Sequence, residues 1–357
     1  MSFSLQKLKP LFWLIVVWLV LLGLTHAFSR DVFAYHCWFD DALALSSADR
    51  FFGLNGYLRD PAYYSIQAIG TMVLPFGIFF ALLILGALAI KLFALLQLSP
   101  KPNLLDVLPY LLILSFLHEG TQIRVALGLS IALWAFIWFA KGRRVQAFVI
   151  LCMATTFHLS VAAFFIVFIL LILYERLGFW IFIVITVVAA LLTYSSIVRD
   201  LVLSLGEVIH ARYMAYSVGA IYRKQNSSGL FQYFSIFVAI LTLLVWRLHE
   251  PSTKVWQELK KIALISGFLA VIILQVFHFN VVIASRLADL LLLPLALVLG
   301  SALVQLQKNN KKMLLWLVIA FLILYGCARG LLTYRPISGT SQICHPELQP
   351  NYDPENP

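Results

Sequence analysis

Long apolar runs separated by short polar segments occupy the chain from Leu11 to Gly330. Each run holds roughly 18 to 25 residues, enough for a helix to cross about 30 Å of hydrocarbon. Because backbone groups must be paired within lipid, runs of this length form helices and not barrel strands. We therefore predict an all-α fold, a polytopic membrane helix bundle. The predicted spans are 11–28, 74–98, 104–118, 121–140, 146–174, 178–197, 230–248, 261–283, 285–306 and 312–330.

The apolar run at 146–174 decides the topology. If it crosses once, the segments RLHEPSTKVWQELKK and QKNNKK fall outside, against the tendency of Lys and Arg to stay in the cytoplasm. If it breaks near FHLS and returns, both segments fall inside together with KGRR. We therefore predict two short helices here and about 11 transmembrane helices in all, with the N-terminus inside. A single long tilted helix is the alternative.

Two main external segments, about 29–64 and 198–229, carry most of the polar residues outside the predicted spans. Residues 1–330 are expected to form a single integral membrane domain. Residues 331–357 contain five prolines and are predicted to form a short irregular external tail.

The composition agrees with a membrane protein, and the distribution of its charges argues against nucleic acid as a partner. The chain is 62% hydrophobic and 12% charged, with a formal net charge of +10. The basic residues are spread between the apolar runs and form no long tract, so nucleic acid is not an expected partner. The four cysteines show no metal-binding spacing, and no metal site is predicted, although Cys37 and Cys344 can meet outside the membrane.

Arginine and lysine divide unequally across the predicted membrane. The outer side holds ten arginines and one lysine, whereas eleven lysines and four arginines are assigned to the inner side. Arginine presents a planar fork of donors that matches phosphate and carboxylate. The outer face is therefore predicted to bind an anion. The alternative is a chance division among arginines that snorkel to the interface.

Ionisable groups at membrane depth are expensive and mark candidate functional sites. Arg124 opens an otherwise uncharged span in the stretch HEGTQIRVALGLSIALW. His118 and Gln122 share a helix face, and a bend at Gly120 would bring them to one cavity with Arg124. The alternative is an Arg124–Glu119 pair that only joins two helices.

Other charged or polar candidates lie at predicted span ends and in the external segments. His158 lies at the proposed break, where it is either functional or a satisfied core histidine. Arg286 begins a late span, with an ion pair to Asp289 as the alternative. Arg212 and Tyr213 lie in the second external segment, which can equally be a solvated loop.

The first external segment supplies a further arginine and three acids. Arg30 is a candidate anion ligand, Asp31 is a candidate base, and Asp40 and Asp41 are candidate bases or ligands of a divalent ion. Adjacent acids in a polar segment are a weak signal of either role.

The segment TQIRVALGLSIALWAFIWFAKGRRVQAFVILCMATTFHLSVAAFF resembles the core signature of the EpsG/Wzy family of bacterial polysaccharide polymerases. An arginine opens one span, a short basic turn follows, and a later span ends in FHxSA. Here Val161 separates FHLS from Ala162. The stretches RDVFAYHCWF, RDPAYYS, RYMAY and SRLADLLLLPLAL resemble other elements of the family in the same order.

The resemblance implies a metal-independent membrane glycosyltransferase of the bacterial inner membrane, without a cofactor, whose active face is periplasmic. Such enzymes transfer a growing glycan from undecaprenyl pyrophosphate to the terminal sugar of a lipid-linked repeat unit. The product is O-antigen of lipopolysaccharide, capsule or exopolysaccharide, and a flippase and a chain-length regulator are possible partners besides the bilayer. His158 is then the expected base, with Glu119 as its competitor and Arg124 as the catalytic cation. The expected pyrophosphate and glycan ligands are Arg124, Arg286, Arg212, Arg30, Tyr213, His118 and Gln122.

Three rival functions fit parts of the sequence. A glycosyltransferase that uses a prenyl monophosphate sugar would take its base from Asp31, Asp40 or Asp41. An O-antigen ligase would need a larger external domain. A flippase for lipid-linked oligosaccharides would place cations along a cavity open to both sides and would show repeated halves, which the sequence lacks.

Overall fold

A computed structural model describes residues 9–46, 60–99, 101–178, 180–194, 197, 200, 230–278 and 281–333. Within these ranges the regular elements are helical, which confirms the all-α membrane bundle. The α-helices are α1 (Lys9–Phe28), α2 (Arg30–Ala44), α3 (Pro61–Val73), α4 (Phe76–Leu98), α5 (Leu104–Tyr110), α6 (Phe116–Thr121), α7 (Ile123–Ala140), α8 (Arg144–Thr155), α9 (Ala163–Leu177), α10 (Trp180–Tyr194), α11 (Leu230–Leu248), α12 (Lys254–Val276), α13 (Val281–Lys308) and α14 (Lys312–Thr333). A π-helical segment (Leu111–Ser115) joins α5 to α6, and a 3₁₀ turn (Leu159–Ala162) precedes α9.

Six segments of the described chain are long and apolar enough to cross a membrane: Phe76–Leu98, Leu104–Thr121, Ile123–Ala140, Leu159–Leu177, Lys254–Val276 and Ile283–Lys308. Shorter apolar helices cover Phe12–Leu24, Arg144–Thr155, Trp180–Thr193, Tyr233–Leu248 and Lys312–Ala328. The chain is therefore a multi-pass membrane protein. The figure of about 11 transmembrane helices stays a prediction.

The break predicted within 146–174 is confirmed. Helix α8 ends at Thr155, and the Phe148 and Phe165 rings stack with centroids 5.8 Å apart. Arg144 Nη2 lies 2.6 Å from Glu175 Oε2. In one continuous helix these two pairs would be about 25 Å and about 46 Å apart. The chain therefore reverses direction near His158, and the alternative of a single tilted helix is wrong.

The helices group into two compact units. The first unit contains residues 1–134, 149–161 and 312–357, and the second contains 135–148 and 162–311. The single membrane domain predicted for residues 1–330 stays a prediction. Of the predicted tail, residues 334–357 lie outside the described part of the chain.

In the first unit, α1 packs on α4 and α6, α2 packs on α3, and α14 packs on the π-helical segment. The last contact is close because Gly326 has no side chain. A Cβ atom at Gly326 would lie 2.7 Å from the Leu112 carbonyl oxygen. Small residues allow such close approaches between membrane helices.

In the second unit, α11, α12 and α13 pack together, again around a glycine. A Cβ atom at Gly267 would lie 2.9 Å from a Leu295 methyl carbon. The end of α11 is capped by Lys260, whose Nζ donates to the Trp246 and His249 carbonyl oxygens at 2.9 and 2.6 Å. These carbonyls have no partner inside the helix, so the lysine satisfies them.

We expect Gly326→Ala to destabilise the protein by about 1–3 kcal/mol, because the added methyl group meets a backbone oxygen that cannot move alone. Gly86→Ala is the matched control, since a Cβ atom at Gly86 meets nothing within 4 Å. Thermal unfolding in detergent measures both. Equal melting temperatures for the two variants would contradict the close packing of α14 on the π-helical segment.

Candidate functional site

A buried ion pair joins the beginning of α7 to the beginning of α3. Arg124 Nη1 donates to Asp60 Oδ2 at 2.6 Å, although the two residues are 64 positions apart in the chain. The Asp60 side chain is 0% exposed and that of Arg124 is 10% exposed. A buried charge needs a partner and hydrogen bonds, and each of these residues supplies both to the other.

The local sequence explains why the Asp60 carboxylate is available to other elements. Pro61 occupies the first turn of α3, and Asp60 precedes that helix without a side-chain capping bond to it. Instead, Asp60 Oδ1 accepts the Leu159 backbone N–H at 3.2 Å, and Oδ2 lies 3.4 Å from His158 Nδ1. The carboxylate therefore connects the arginine of α7 with the histidine of the 156–159 turn.

Two further contacts hold this turn in place. The Ala62 backbone N–H donates to the Thr156 carbonyl at 3.0 Å, so the start of α3 and the turn are bonded in both directions. A Cβ atom at Gly128 of α7 would lie 2.8 Å from Val161 Cγ2 and 3.2 Å from the Ala154 carbonyl oxygen. The glycine thus permits the turn to approach α7 one helical turn beyond Arg124.

Aromatic rings surround the guanidinium of Arg124. Its central carbon lies 5.5, 4.9 and 5.7 Å from the ring centroids of Tyr35, Trp38 and Tyr63. Arg124 Nε donates to the Tyr35 hydroxyl at 3.4 Å. The ring faces attract the cation and exclude water from it, and these contacts fix the plane of the guanidinium.

The pKa shifts of the groups around Arg124 determine which of them are ionised. Burial alone would raise the pKa of the Asp60 carboxyl, but the hydrogen bond from His158 and the charges of His158 and Arg124 bring it below its usual value. Burial raises the pKa of the Tyr35 and Tyr63 hydroxyls, so both stay neutral. At neutral pH the site therefore holds a carboxylate, a guanidinium and neutral phenols.

The structure brings two of the sequence-predicted residues, Arg124 and His158, to one carboxylate. The predicted site lacked that carboxylate, Asp60, and also the aromatic contacts of Tyr35 and Trp38. The stretches RDPAYYS and RDVFAYHCWF contained them. An acidic residue before a proline in a polar segment is typical of a helix start. No local sequence pattern therefore indicated that Asp60 is the partner of Arg124.

Glu119 has a different partner from the one expected. Glu119 Oε1 lies 2.7 Å from Lys91 Nζ, and the side chain is 0% exposed. The expected alternative of an Arg124–Glu119 pair is therefore wrong. His118 is fully buried in α6, and the helix is interrupted at Gln122, with φ −118° and ψ 60°, and not at Gly120.

Of the remaining predicted residues, those that the structure describes lie in α2 and α13. The segment 29–64, which was predicted to be external, contains the helix α2 with Asp31, Asp40 and Asp41. Asp40 Oδ2 lies 3.4 Å from His36 Nδ1 at the surface. Arg30 begins α2, and its side chain is outside the described part. Arg286 is exposed on α13 in the second unit. Arg212 and Tyr213 lie outside the described residues. Among the described residues no group of three His, Cys, Asp or Glu side chains can hold a metal ion.

Apolar helices of membrane-spanning length, with a buried Arg–Asp pair next to a partly exposed histidine at the start of one of them, define a polytopic membrane protein with a polar site. The chain belongs to the EpsG family, whose family model matches residues 10–340. No curated protein and no solved structure matches the chain. Membership confirms the resemblance seen in the sequence and makes this a polysaccharide polymerase-like membrane protein.

We expect Asp60→Asn to lower the free energy of unfolding by about 3–5 kcal/mol at neutral pH, because the substitution leaves the buried Arg124 guanidinium without its anion. The pKa of Asp60 is lower in the folded than in the unfolded chain. The unfolded state therefore binds more protons, and the contribution of Asp60 is complete above its usual pKa of 3.8 and is lost as the pH falls through the lower folded value.

The measurement is thermal unfolding of both proteins in detergent from pH 7 downward. The gap between wild type and Asp60→Asn should stay constant to about pH 5 and close in stronger acid. Asp40→Asn is the control, since Asp40 is about half exposed, with 49% of its side chain accessible. A gap that is absent at neutral pH, or that widens in acid, would contradict the assigned ion pair.

Proposed function

We propose that this protein is a polysaccharide polymerase that transfers a growing glycan from undecaprenyl pyrophosphate to the terminal sugar of a lipid-linked repeat unit. The observation that carries the proposal is the Arg124–Asp60–His158 cluster at the beginning of an apolar span. A cation, an acid and a histidine at the end of a membrane span are the groups that a reaction at the pyrophosphate head group of a polyprenyl lipid needs, and this supports the proposal.

Arg124 is assigned to the leaving group. When the bond between the anomeric carbon and the phosphate oxygen breaks, its electron pair stays on the pyrophosphate, whose charge a preorganised guanidinium stabilises. A guanidinium has five N–H donors, and Nη1 and Nε of Arg124 already donate to Asp60 and Tyr35. These contacts orient the fork, and its other N–H groups serve the phosphate oxygens.

His158 is assigned as the base, with Asp60 as the group that orients it. The acceptor hydroxyl oxygen forms the new bond to the anomeric carbon, and its proton passes to the histidine ring. Asp60 Oδ2 lies 3.4 Å from Nδ1, so the carboxylate stabilises the imidazolium that results. The His158 side chain is 25% exposed, whereas Glu119 is 0% exposed, which favours the histidine over Glu119 as the base.

Six further residues were expected to contact the pyrophosphate or the glycan, and these roles stay predictions: Arg286, Arg212, Arg30, Tyr213, His118 and Gln122. The reaction as assigned uses side chains alone and no metal or cofactor.

The chemistry of Cys37 supports a periplasmic active face in the bacterial inner membrane. Cys37 is disulfide-bonded and lies in α2 next to Trp38, one of the rings around Arg124. Disulfides persist in the periplasm and are rare in the cytosol. This orientation puts the N-terminus in the cytoplasm and exposes the site to repeat units that a flippase has delivered, with a chain-length regulator as a further partner.

A glycosyltransferase that uses a prenyl monophosphate sugar is the second candidate, because the site does contain a carboxylate from the first predicted external segment. That carboxylate is Asp60 and not Asp31, Asp40 or Asp41. Its bond to Arg124 and its burial favour an orienting role over that of a base. The product of either enzyme, whether O-antigen, capsule or exopolysaccharide, follows from the repeat unit supplied.

Lipid-linked glycan length in a deletion strain tests the proposal. We expect strains complemented with Arg124→Lys, Asp60→Asn or His158→Ala to accumulate single repeat units on the periplasmic side. Lysine keeps the charge of Arg124 but loses the fork, so chain extension should fall by about 100-fold or more. Asp40→Asn is the matched control and should give chains of normal length.

Membrane levels of each variant are measured alongside, so that unfolded protein is not counted as inactive enzyme. Long chains in all three site variants at normal protein levels would contradict the assigned site. Repeat units trapped on the cytoplasmic side would instead indicate a flippase.

A further inference from the structure

A second buried ion pair lies beside the first, and the proposed reaction does not use it. Lys91 sits within the apolar span Phe76–Leu98, and its side chain is 7% exposed. Its ammonium group donates to Glu119 Oε1 at 2.7 Å, to Ser130 Oγ at 2.7 Å and to the Ala126 carbonyl at 2.9 Å. An ammonium has three N–H donors, so these acceptors satisfy all of them.

The three acceptors lie on both sides of the helix interruption that precedes Arg124. Glu119 belongs to α6, which ends at Thr121, whereas Ala126 and Ser130 belong to α7. Lys91 therefore joins the last turn before the interruption to the first turns after it. Arg124 follows the interruption by two residues, so the direction of its side chain depends on how the two helices meet.

Glu119 also accepts a hydrogen bond from a tyrosine that precedes the π-helical segment. The Tyr110 hydroxyl donates to Glu119 Oε2 at 2.6 Å. In an uninterrupted α-helix two residues nine positions apart would point about 180° away from each other. The π-helical segment Leu111–Ser115 lies between them and changes this register, because a π turn contains an additional residue. One additional residue reduces the angle between the two side chains from about 180° to about 80°, and the long Tyr110 side chain then reaches Glu119.

Stability alone does not account for this arrangement. Burying a lysine and a glutamate in an apolar span is expensive, and well-packed apolar residues of similar volume are often as stable or more stable. What a buried ion pair provides and an apolar contact does not is one defined geometry. The geometry defined here is the junction between α6 and α7.

We propose that Lys91 and Glu119 form a positioning clamp that fixes the helix interruption at Gln122 and thereby aims Arg124 at the pyrophosphate. Glu119 is then a positioning residue and not the base. The inference rests on the proposed function for the role of Arg124, whereas the clamp itself is a statement about the junction.

The experiment uses the purified full-length protein and lipid-linked repeat units extracted from a deletion strain. The key variant is Lys91→Met/Glu119→Leu, which replaces the ion pair by apolar groups of similar size. Ser130→Ala is a milder second variant that removes one acceptor. Lys261→Met is the matched control, because Lys261 pairs with Glu258 with 41% of its side chain exposed. Each protein is characterised by its melting temperature, amide hydrogen exchange at residues 118–130, kcat and KM.

We expect the double variant to keep a melting temperature near that of wild type while amides at 118–130 exchange about tenfold faster, because the junction opens locally. Its kcat should fall about tenfold or more with little change in KM, since a misaligned guanidinium loses contacts made in the transition state. Ser130→Ala should lower kcat severalfold with the melting temperature unchanged. Lys261→Met should match wild type in every measurement.

The clamp is overturned if the double variant has the kcat of wild type. If the double variant does not fold, the clamp is overturned by Ser130→Ala with the kcat and the amide exchange of wild type. Arg124→Lys assayed in parallel separates the two proposals. Loss of activity in Arg124→Lys with full activity in the clamp variants contradicts the clamp alone. Full activity in Arg124→Lys contradicts the proposed function instead, whatever the exchange data show.

Discussion

The free-energy cost of burying a charged side chain in apolar surroundings determines which elements of the first compact unit must meet. Arg124 begins a span that is otherwise uncharged, and it is stable there because Asp60 supplies a buried carboxylate at 2.6 Å. Satisfying that one group requires the start of α3, the start of α7 and the turn at His158 to meet. These elements can meet because the Ala62 backbone N–H donates a hydrogen bond to the Thr156 carbonyl and because the turn approaches α7 closely at Gly128.

The same constraint explains why the helices are irregular where they are. Helix α6 ends at Thr121 and α7 begins at Ile123, and the π-helical segment lies one element earlier. Regular helices would separate Tyr110 from Glu119 and would change the direction of Arg124. Polar contacts inside the bundle offset the cost of these irregularities, and irregular backbone at membrane depth is tolerated only where protein covers it.

Composition and hydrophobic length were sufficient to predict the helical bundle, and the distribution of lysines predicted the reversal near His158. Ionisable residues at span ends identified Arg124 and His158 as candidates. Asp60 was not found, because its partner is 64 positions away and no local periodicity connects them. The eleven lysines that the predicted topology assigns to the inner side include Lys91, yet a single lysine inside FGIFFALLILGALAIKLFALLQL is itself a signal of a buried partner. Pairing between distant elements depends on tertiary packing, which a pattern along one helix does not encode.

In the proposed function the Arg124 guanidinium, fixed by Asp60 and its aromatic neighbours, binds the pyrophosphate of the lipid-linked glycan. The most direct measurement is a cryo-electron microscopy structure in a lipid nanodisc with a non-hydrolysable undecaprenyl diphosphonate bound. We expect a phosphonate oxygen about 3 Å from an Arg124 nitrogen, with His158 facing the anomeric position. A diphosphonate bound elsewhere in the bundle, with the Arg124–Asp60 pair intact and not in contact with it, would contradict the proposed role of Arg124.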